Sequence, residues 1–396
     1  MLSNTVQHIR TYFDGKYDFE LYNEKSIIKT RIRNSDAGFE AIENSDQGFF
    51  VRILSKNHIG FFSSSGNPYF EIPNVLNSIL LFPDINSLRF SDNNNFINRV
   101  QNFDIPIESI QEYLYALFPE IIFDIYIVEI SKNMNLVTKH SFIDNNLKFI
   151  KILLIDKKNN LEHVCITDAN YKEDINKHLL YKILKKNYNL QSYKYLEISQ
   201  QAYGHLIQAF IRQKLFDKSQ ETNIPKDLII FDDGDQNMLT KYPLYDYEGI
   251  KRAKTNIIYG GKWYNDLTDL SEAQNKASSG NAFRRHYQYL PTVEPYCITH
   301  LISRDKFEKN MGKIIRIVKF FNSCSNFSLY TGDYYGKCLI NLTSETEECV
   351  VADIKFNLYQ LLNSIEGYGA NKVCNQSHTN MPSLIVSTKL FEISQE

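Results

Sequence analysis

Short apolar segments rich in β-branched and aromatic residues recur along the whole chain, and they limit its fold more than any other feature. In several places only a few polar residues or glycines separate two segments, so that the second can turn back and pair with the first. The first half has such segments at residues 26–32, 48–54, 59–63, 124–130, 147–156 and 161–167. The second half has them at residues 228–231, 255–259, 262–265, 326–331, 337–341, 348–354 and 383–386. This pattern predicts sheets that are mainly antiparallel.

Two of these segments are joined by Gly260 and Gly261 alone. A two-residue hairpin of type I′ needs positive φ at both central positions, and glycine adopts that conformation without a steric penalty. The pair therefore predicts a tight hairpin. Asn57 and His58 lie in a similar place in the first half and predict a second hairpin, between residues 48–54 and 59–63.

Helical periodicity is confined to a few segments. Apolar residues recur at helical spacing in residues 1–24, 74–82, 107–117, 173–189 and 197–215. A chain of 396 residues is long enough for two domains that each bury a core. We expect an α+β fold, with an N-terminal α/β domain of antiparallel hairpins and helices over residues 1–190. A mainly antiparallel β domain that carries one long helix is expected over residues 191–396.

Charge and cysteine content argue against several classes of protein. The formal net charge is −2, and no block of like charges offers a surface for nucleic acid or for a membrane. No uncharged apolar run approaches the ~18 residues that a transmembrane helix needs, and the first residues lack the pattern of a secretory signal. The six cysteines lie far apart without a Cys-x-x-Cys pair, which favours reduced thiols. We expect a soluble cytoplasmic protein.

Four stretches of the sequence, taken in order, resemble the TldD/PmbA family of metallopeptidases. They are QGFFVRILSKNHIGFFSSS at residues 47–65, AYGHLIQAFIRQKLF at residues 202–216, residues 242–285, and LYTGDYYGKCLI at residues 329–340. The third stretch matches the family's Pro-x-x-Asp-x-Glu-Gly segment and a later Ser-x-Gly-Asn segment, and the fourth matches its Thr-Gly-Asp-Tyr turn. The resemblance covers nearly the whole chain.

The same resemblance identifies residues that this sequence lacks. Members of the TldD branch carry His-Glu-x-x-x-His on a helix and a cysteine near the C-terminus, which together supply zinc ligands and a base for the attacking water. The matching positions here are Gln200, Gln201 and His205, and the cysteine position falls at about Tyr368. Two of three ligands and the catalytic carboxylate are therefore replaced. The resemblance implies a degenerate metal site, without a metal or cofactor in this chain.

Two other features resemble the TldE branch, whose members lack the metal motif. They are the string Tyr-Gly-His-Leu at residues 203–206 and the run Thr-Gly-Asp-Tyr at residues 331–334. The resemblance implies a non-catalytic subunit that pairs with a zinc-bearing TldD-like metallopeptidase chain. Together the two chains would cleave unfolded peptides or leader peptides, including those of ribosomally made modified peptides.

Several residues are candidates for contact with a peptide or a partner, namely Tyr203, Arg284, Arg285, Asp333 and Tyr334. The two arginines could bind a carboxylate through paired hydrogen bonds, or they could be one surface charge and one ion pair. His205 is either a remnant ligand or interface residue, or a buried helix histidine whose ring is hydrogen-bonded.

Two further groups leave alternatives open. Asp246, Glu248 and Gly249 form an acidic turn, whose carboxylates either take part in catalysis or cap nearby backbone. Cys374 and His378, four residues apart, could rebuild a zinc site with His205. Beside the non-catalytic subunit, the sequence thus allows an active peptidase with a rebuilt metal site. It also allows a homodimeric peptide-binding or scaffold protein without peptidase activity.

The replaced ligands generate a direct prediction. We expect the purified chain to hold well under one equivalent of zinc, because an amide at Gln200 and a phenol at Tyr368 are poor zinc ligands at neutral pH. Elemental analysis of the purified protein measures this. One tightly bound zinc per chain would contradict the prediction and would favour a site built from Cys374 and His378.

Overall fold

The structure of the chain, a computed structural model, has the α+β fold that the sequence predicts. It describes residues 7, 10–13, 17–34, 38–55, 58–65, 81–83, 95–99, 107–117, 123–157, 161–167, 171–179, 182–183, 192–216, 224–234, 245–264, 267–269, 278–302, 314–321, 325–342, 348–370, 372–374 and 379–394. Within these ranges the strands pair mainly antiparallel.

The described residues of the first half form an eight-stranded sheet, called here the N-terminal sheet. Its strands are β1 (Asp18–Asn34), β2 (Gly38–Ser55), β3 (His58–Ser65), β4 (Leu81–Pro83), β5 (Asn95–Arg99), β6 (Phe123–Thr138), β7 (Phe142–Asp156) and β8 (Leu161–Thr167). They lie in the order β4-β3-β2-β1-β6-β7-β5, and β8 also pairs with β7. The pairing of β2 with β3 confirms the hairpin predicted in this half.

Two helices pack on the N-terminal sheet. Helix α1 (Ile107–Leu117) has the predicted bounds, and α2 (Tyr171–Leu179) confirms the first part of the helix predicted at 173–189. That prediction is wrong at residues 182–183, which form a strand. Buried residues of both helices, including Ile110, Leu114 and Ile175, pack against Ile152 and Cys165 of the sheet.

The helix predicted over residues 1–24 is wrong from Asp18 onward, where β1 begins, although residues 10–13 are helical. In β1 both faces are covered: Phe19 and Leu21 pack on one side, and Tyr22 packs in a separate cluster. A strand that is buried on both faces loses the polar–apolar alternation that identifies strands in a sequence. The helix predicted over 74–82 lies mostly outside the described residues, and its end at 81–82 belongs to β4.

The second half of the chain builds two larger sheets from its described residues. The first has nine strands: β9 (Lys182–Ile183), β10 (Tyr195–Ile198), β17 (Ile314–Phe320), β18 (Asn326–Phe327), β19 (Asp333–Asn341), β20 (Glu348–Asn357), β21 (Gly367–Tyr368), β24 (Leu384–Ser387) and β25 (Glu392–Ser394). The second has six: β11 (Ile230–Asp233), β12 (Lys254–Tyr259), β13 (Lys262–Trp263), β16 (Ile298–His300), β22 (Lys372–Cys374) and β23 (Thr379–Met381). Strands β14 (Ala282–Phe283) and β15 (Thr292–Val293) pair separately.

Two local features of this half bear on the sequence analysis. Gly260 and Gly261 have φ of +60° and +76° and connect β12 to β13, which confirms the predicted tight hairpin. Strand β9 pairs with β20, so residues 182–183 already belong to the nine-stranded sheet. The domain division at residue 190 stays a prediction.

Helix α3 (Gln200–Phe216) is the long helix predicted for this half. It packs against β17 of the nine-stranded sheet and β23 of the six-stranded sheet, with Ile207, Phe210 and Ile211 buried in the shared core. Its predicted start at residue 197 is wrong, because residues 195–198 form β10. Ser199 ends the strand and caps the helix: its Oγ accepts a hydrogen bond from the backbone N–H of Ala202 at 3.1 Å.

A short helix, α4 (Leu358–Asn363), follows β20 and has Asn357 as its N-cap. In the part of the chain that the structure describes, no helix combines the length and hydropathy needed to cross a bilayer.

A buried network of four charges joins the two halves of the chain. Arg52 of β2 donates hydrogen bonds to Glu20 of β1 at 2.6 Å and to Glu248 of the second half at 2.7 Å. Arg284 donates to Glu20 at 3.1 Å and to the carbonyl of Tyr289 at 2.6 Å. All four charged side chains are almost completely buried. Buried charges are tolerated where they are paired and hydrogen-bonded, so this network fixes how the halves meet.

The adjacent arginines provide a matched test of this network. We expect Arg284→Ala to lower the free energy of unfolding by ~3–5 kcal/mol, because buried Glu20 then loses one of the two arginines that pair with it. Arg285→Ala should change it by less than ~0.5 kcal/mol, since the Arg285 side chain is 71% exposed and its nitrogen lies 3.8 Å from Glu294. Urea unfolding of both variants measures the difference. Equal effects would show that the network does not hold the halves together.

Candidate functional site

The amino end of α3 lies against the segment that follows β21. The side-chain amide of Gln200 donates a hydrogen bond to the carbonyl of Ala370 at 3.3 Å. Its carbonyl oxygen accepts one from Nη2 of Arg316 in β17 at 3.1 Å. Ala370 lies two residues after Tyr368, so the chain brings the first position of the helix motif close to the C-terminal segment. These are the two segments from which the family resemblance draws its metal ligands.

A buried aromatic cluster lies beside this contact. The hydroxyl of Tyr203 and Nδ1 of His300 are 3.2 Å apart, and the His300 ring packs edge-on against Tyr368 with ring centres 5.3 Å apart. Burial lowers the pKa of His300 to about 4, and the charge of Asp227 opposes this only in part. Burial also raises the pKa of Tyr203, and Tyr368 adds to that rise. The cluster is therefore uncharged at neutral pH.

His205 belongs to a different environment. On an α-helix, positions i and i+5 are about 140° apart around the axis, whereas i and i+3 lie on one face. Gln200 and Tyr203 accordingly share the face that meets residues 368–370. The His205 ring instead packs near Phe320 of β17, with ring centres 6.3 Å apart. Burial lowers the pKa of His205 to about 4, and Arg212 lowers it further, so the ring is neutral.

The residues at this place do not fit a zinc ion. Zinc sites in proteins use imidazole nitrogen, thiolate and carboxylate, but α3 presents an amide and a phenol here, and position 368 is a second phenol. The His300 Nδ1 atom is engaged with Tyr203, and the Arg316 guanidinium lies against Gln200. Among the described residues, no three His, Cys, Asp or Glu side chains are grouped so as to hold a metal. The side chain of Cys374 and all of His378 lie outside those residues.

The candidate contact residues fall in several places. Arg284 is fully buried in the charged network, whereas Arg285 is exposed. Tyr203 and Tyr334 are buried inside the chain, and the Tyr334 hydroxyl is hydrogen-bonded to Ser325 at 2.6 Å. Asp333 is exposed, and a hydrogen bond from Asn357 lowers its pKa. Whether the two exposed residues, Arg285 and Asp333, contact a peptide or a partner stays a prediction.

The acidic turn resolves into two structural roles. The carboxylate of Asp246 accepts hydrogen bonds from the backbone N–H groups of Glu248, Ile250 and Ala282 at 2.9–3.0 Å. Gly249 has φ of +79°, as a turn glycine requires. This confirms the capping alternative for Asp246. Glu248 instead pairs with Arg52.

Sequence reasoning missed Arg316 and His300. Neither residue lies in a segment that the sequence pattern predicts as a strand, although Arg316 belongs to β17 and His300 is the last residue of β16. The alternation of apolar and polar residues in β17 could have shown that Arg316 lies on the face away from the core, since Ile315 and Ile317 are buried and Arg316 is not. Its distance to Gln200 depends on how β17 and α3 meet, which no local pattern encodes.

The buried neutral histidine predicts a pH dependence of stability. His300 binds a proton near pH 6.5 when unfolded but only near pH 4 when folded, so the folded state holds fewer protons between these values. Stability is therefore lost as pH falls from about 6.5 to 4. Asparagine does not titrate, so His300→Asn lacks this loss. We therefore expect the difference in free energy of unfolding between the native chain and His300→Asn to fall by up to ~3 kcal/mol over that range. Urea unfolding of both proteins at pH 7, 5.5 and 4.5 measures this difference. A difference that stays constant with pH would contradict the prediction.

Comparisons with known proteins bear on the C-terminal half of the chain and on the whole fold. Residues 199–391 match the PmbA/TldA metallopeptidase C-terminal domain. A sequence search among curated proteins finds no significant match. The whole fold is similar to TldE from Thermococcus kodakarensis, with a TM-score of 0.69 at 12% identity over 98% of both chains.

Two other solved structures share this fold, and both are described as proposed modulators of DNA gyrase. The one from Thermotoga maritima has a TM-score of 0.67 at 12% identity over 99% of both chains. The one from Bacteroides thetaiotaomicron has a TM-score of 0.64 at 12% identity over 100% of this chain and 99% of that one. At this identity the likeness establishes the fold. Together with the match of residues 199–391, it confirms the resemblance to the TldD/PmbA family.

Proposed function

We propose that this chain is the non-catalytic, TldE-like subunit of a heterodimeric zinc metallopeptidase. One observation supports the proposal above all others. Gln200, at the first position of the metal motif, is hydrogen-bonded to Arg316 and to Ala370 beside the cysteine position. The two segments meet as a metal site would require, but they meet through a hydrogen bond from an amide to a backbone carbonyl, with the guanidinium of Arg316 beside it.

The second motif position supports the same reading. A metallopeptidase base must accept a proton from the attacking water, which a carboxylate does and a neutral amide does not. Gln201 stands where the TldD branch has that carboxylate. With neither metal ligands nor base, the chain would contribute to peptide cleavage only through a surface that completes another chain's site.

The partner in this proposal is a TldD-like chain that carries the zinc ion and the catalytic glutamate. The substrate is an unfolded peptide or a leader peptide, as the resemblance to TldE implies. An extended peptide that pairs with a strand edge is recognised mainly through its backbone, which would permit loose sequence selectivity. We place both chains in the cytoplasm, consistent with four described cysteines that are buried thiols outside any disulfide, Cys165, Cys297, Cys338 and Cys349.

Co-expression with a TldD-like chain from the same source tests the proposal. We expect a stable heterodimer by size-exclusion chromatography with light scattering, and cleavage of a disordered peptide only when both chains are present. A chelator should abolish cleavage, and so should changing the partner's catalytic glutamate to glutamine. Gln201→Ala in this chain should leave kcat within a few-fold of the native complex, because an amide carries no proton in the reaction.

The other outcomes separate the alternatives. Cleavage by this chain alone, lost on addition of a chelator, would show an active peptidase with a rebuilt metal site. A homodimer that binds peptide but never associates with a TldD-like chain would show a peptide-binding or scaffold protein. Full activity of the TldD-like chain without this one would also contradict the proposal.

A further inference from the structure

The contact around Gln200 ties together four segments of the chain. Arg316 lies in β17 and is paired in register with Glu197 of β10, whose carboxylate oxygen is 3.6 Å from its Nε. Through Nη2 the same guanidinium reaches Gln200 at the start of α3. Gln200 then reaches Ala370, just after β21. A single chain of polar contacts therefore runs from β10 and β17 across the helix start to the C-terminal segment.

The chemistry of this contact specifies glutamine at position 200. The side chain must accept a hydrogen bond from a guanidinium and donate one to a backbone carbonyl at the same time. A primary amide does both, because it carries a carbonyl oxygen and an NH₂ group. A carboxylate would accept from Arg316 but could not donate to Ala370, and an ammonium would donate but could not accept.

The electrostatics of the same contact oppose a divalent cation. Arginine side chains are positively charged at physiological pH, and the Arg316 side chain is 43% exposed. The first turn of α3 carries no acidic residue, so the partial positive charge of the helix amino end adds to that of Arg316. Glu197 is the carboxylate in direct reach of the guanidinium, and it is already paired with it.

We propose that Gln200 and Arg316 form a metal-free clasp that holds residues 368–370 against α3 and keeps divalent metal away from this place. If the metal ligands of the motif were restored by substitution, a bound dication would lie beside the positive charge of Arg316. Arg316 therefore opposes the recovery of a metal site. The inference deepens the proposed function at the same site. It rests on contacts within one chain, and it holds whether or not the chain has a TldD-like partner.

A double-mutant cycle tests the clasp in the native background. Gln200→Lys places a second cation against Arg316 and should therefore raise the equilibrium constant for unfolding. That increase should be roughly three- to tenfold larger in the native background than in the Arg316→Gln background. Gln200→Glu should show coupling of the opposite sign, because it gains an ion pair. Gln201→Lys is the matched control: it is the same substitution one position along the half-buried helix start, and it should show no coupling to Arg316.

Metal titration tests the exclusion of dications. The variant Gln200→His/Gln201→Glu/Tyr368→Cys restores two ligand types and the acid at the three replaced positions. With Co²⁺ as the probe, adding Arg316→Gln to this variant should strengthen binding at least tenfold. It should also produce the absorption of a cobalt–thiolate bond.

The results that overturn the clasp are distinct from those that overturn the proposed function. Absence of coupling between positions 200 and 316, or coupling as large for Gln201→Lys, removes the clasp. Equal cobalt binding with and without Arg316, including no binding by either variant, shows that Arg316 is not what excludes metal. Neither result bears on whether the native chain assembles with a TldD-like partner, which co-purification measures separately.

Discussion

The turn at Ser199 fixes the position of everything else at the candidate site. Its backbone N–H donates to the carbonyl of Ile317, and its hydroxyl donates to the carbonyl of Val318 at 2.5 Å. Its own Oγ and carbonyl then accept from the N–H groups of Ala202 and Tyr203, which starts α3. The register of β17 shifts at Val318, between Ile317 and Lys319. Ser199 thus anchors the first turn of the helix to a bulge in the neighbouring strand.

That anchor determines which side chains meet. Once the first turn is fixed, Gln200 and Tyr203 must face residues 368–370, and His205 must turn toward Phe320. The buried charges of Glu20, Arg52, Glu248 and Arg284 play a separate part, because they hold the N-terminal sheet against the second half. One set of interactions shapes the site, and the other orients the halves of the chain around it.

Much of the fold could be predicted from the sequence, because it is encoded in local patterns. The Gly260-Gly261 hairpin, helix α1 and the antiparallel pairing all follow from residue spacing. The first residues of β1 were missed because burial on both faces removes the alternation of Phe19–Tyr22 from the sequence pattern. The start of α3 was placed too early because Ile198 fits a helical repeat as well as a strand. Only Ser199, which caps α3, shows that the strand ends and the helix begins after residue 198.

The site was predictable only as a set of positions. Comparison with a known motif identified Gln200, Gln201 and Tyr368 as replaced residues, but Arg316 and His300 lie 116 and 97 residues along the chain from Gln200 and Tyr203, the residues that they contact. Their contacts exist because β16 and β17 pack beside the helix, and such long-range packing leaves no signal in local spacing. Arg284 shows the converse: as one of two adjacent arginines it suggested a ligand site, and its complete burial assigns it to the charged network.

In the proposed function, this chain has polar contacts in place of a metal and relies on another chain for catalysis. Anomalous diffraction at the zinc absorption edge, from crystals of the complex with a TldD-like chain, tests it most directly. We expect a zinc peak in the partner and no peak within bonding distance of Gln200 or Tyr368. A zinc peak beside Gln200, at an occupancy equal to the partner's, would contradict it.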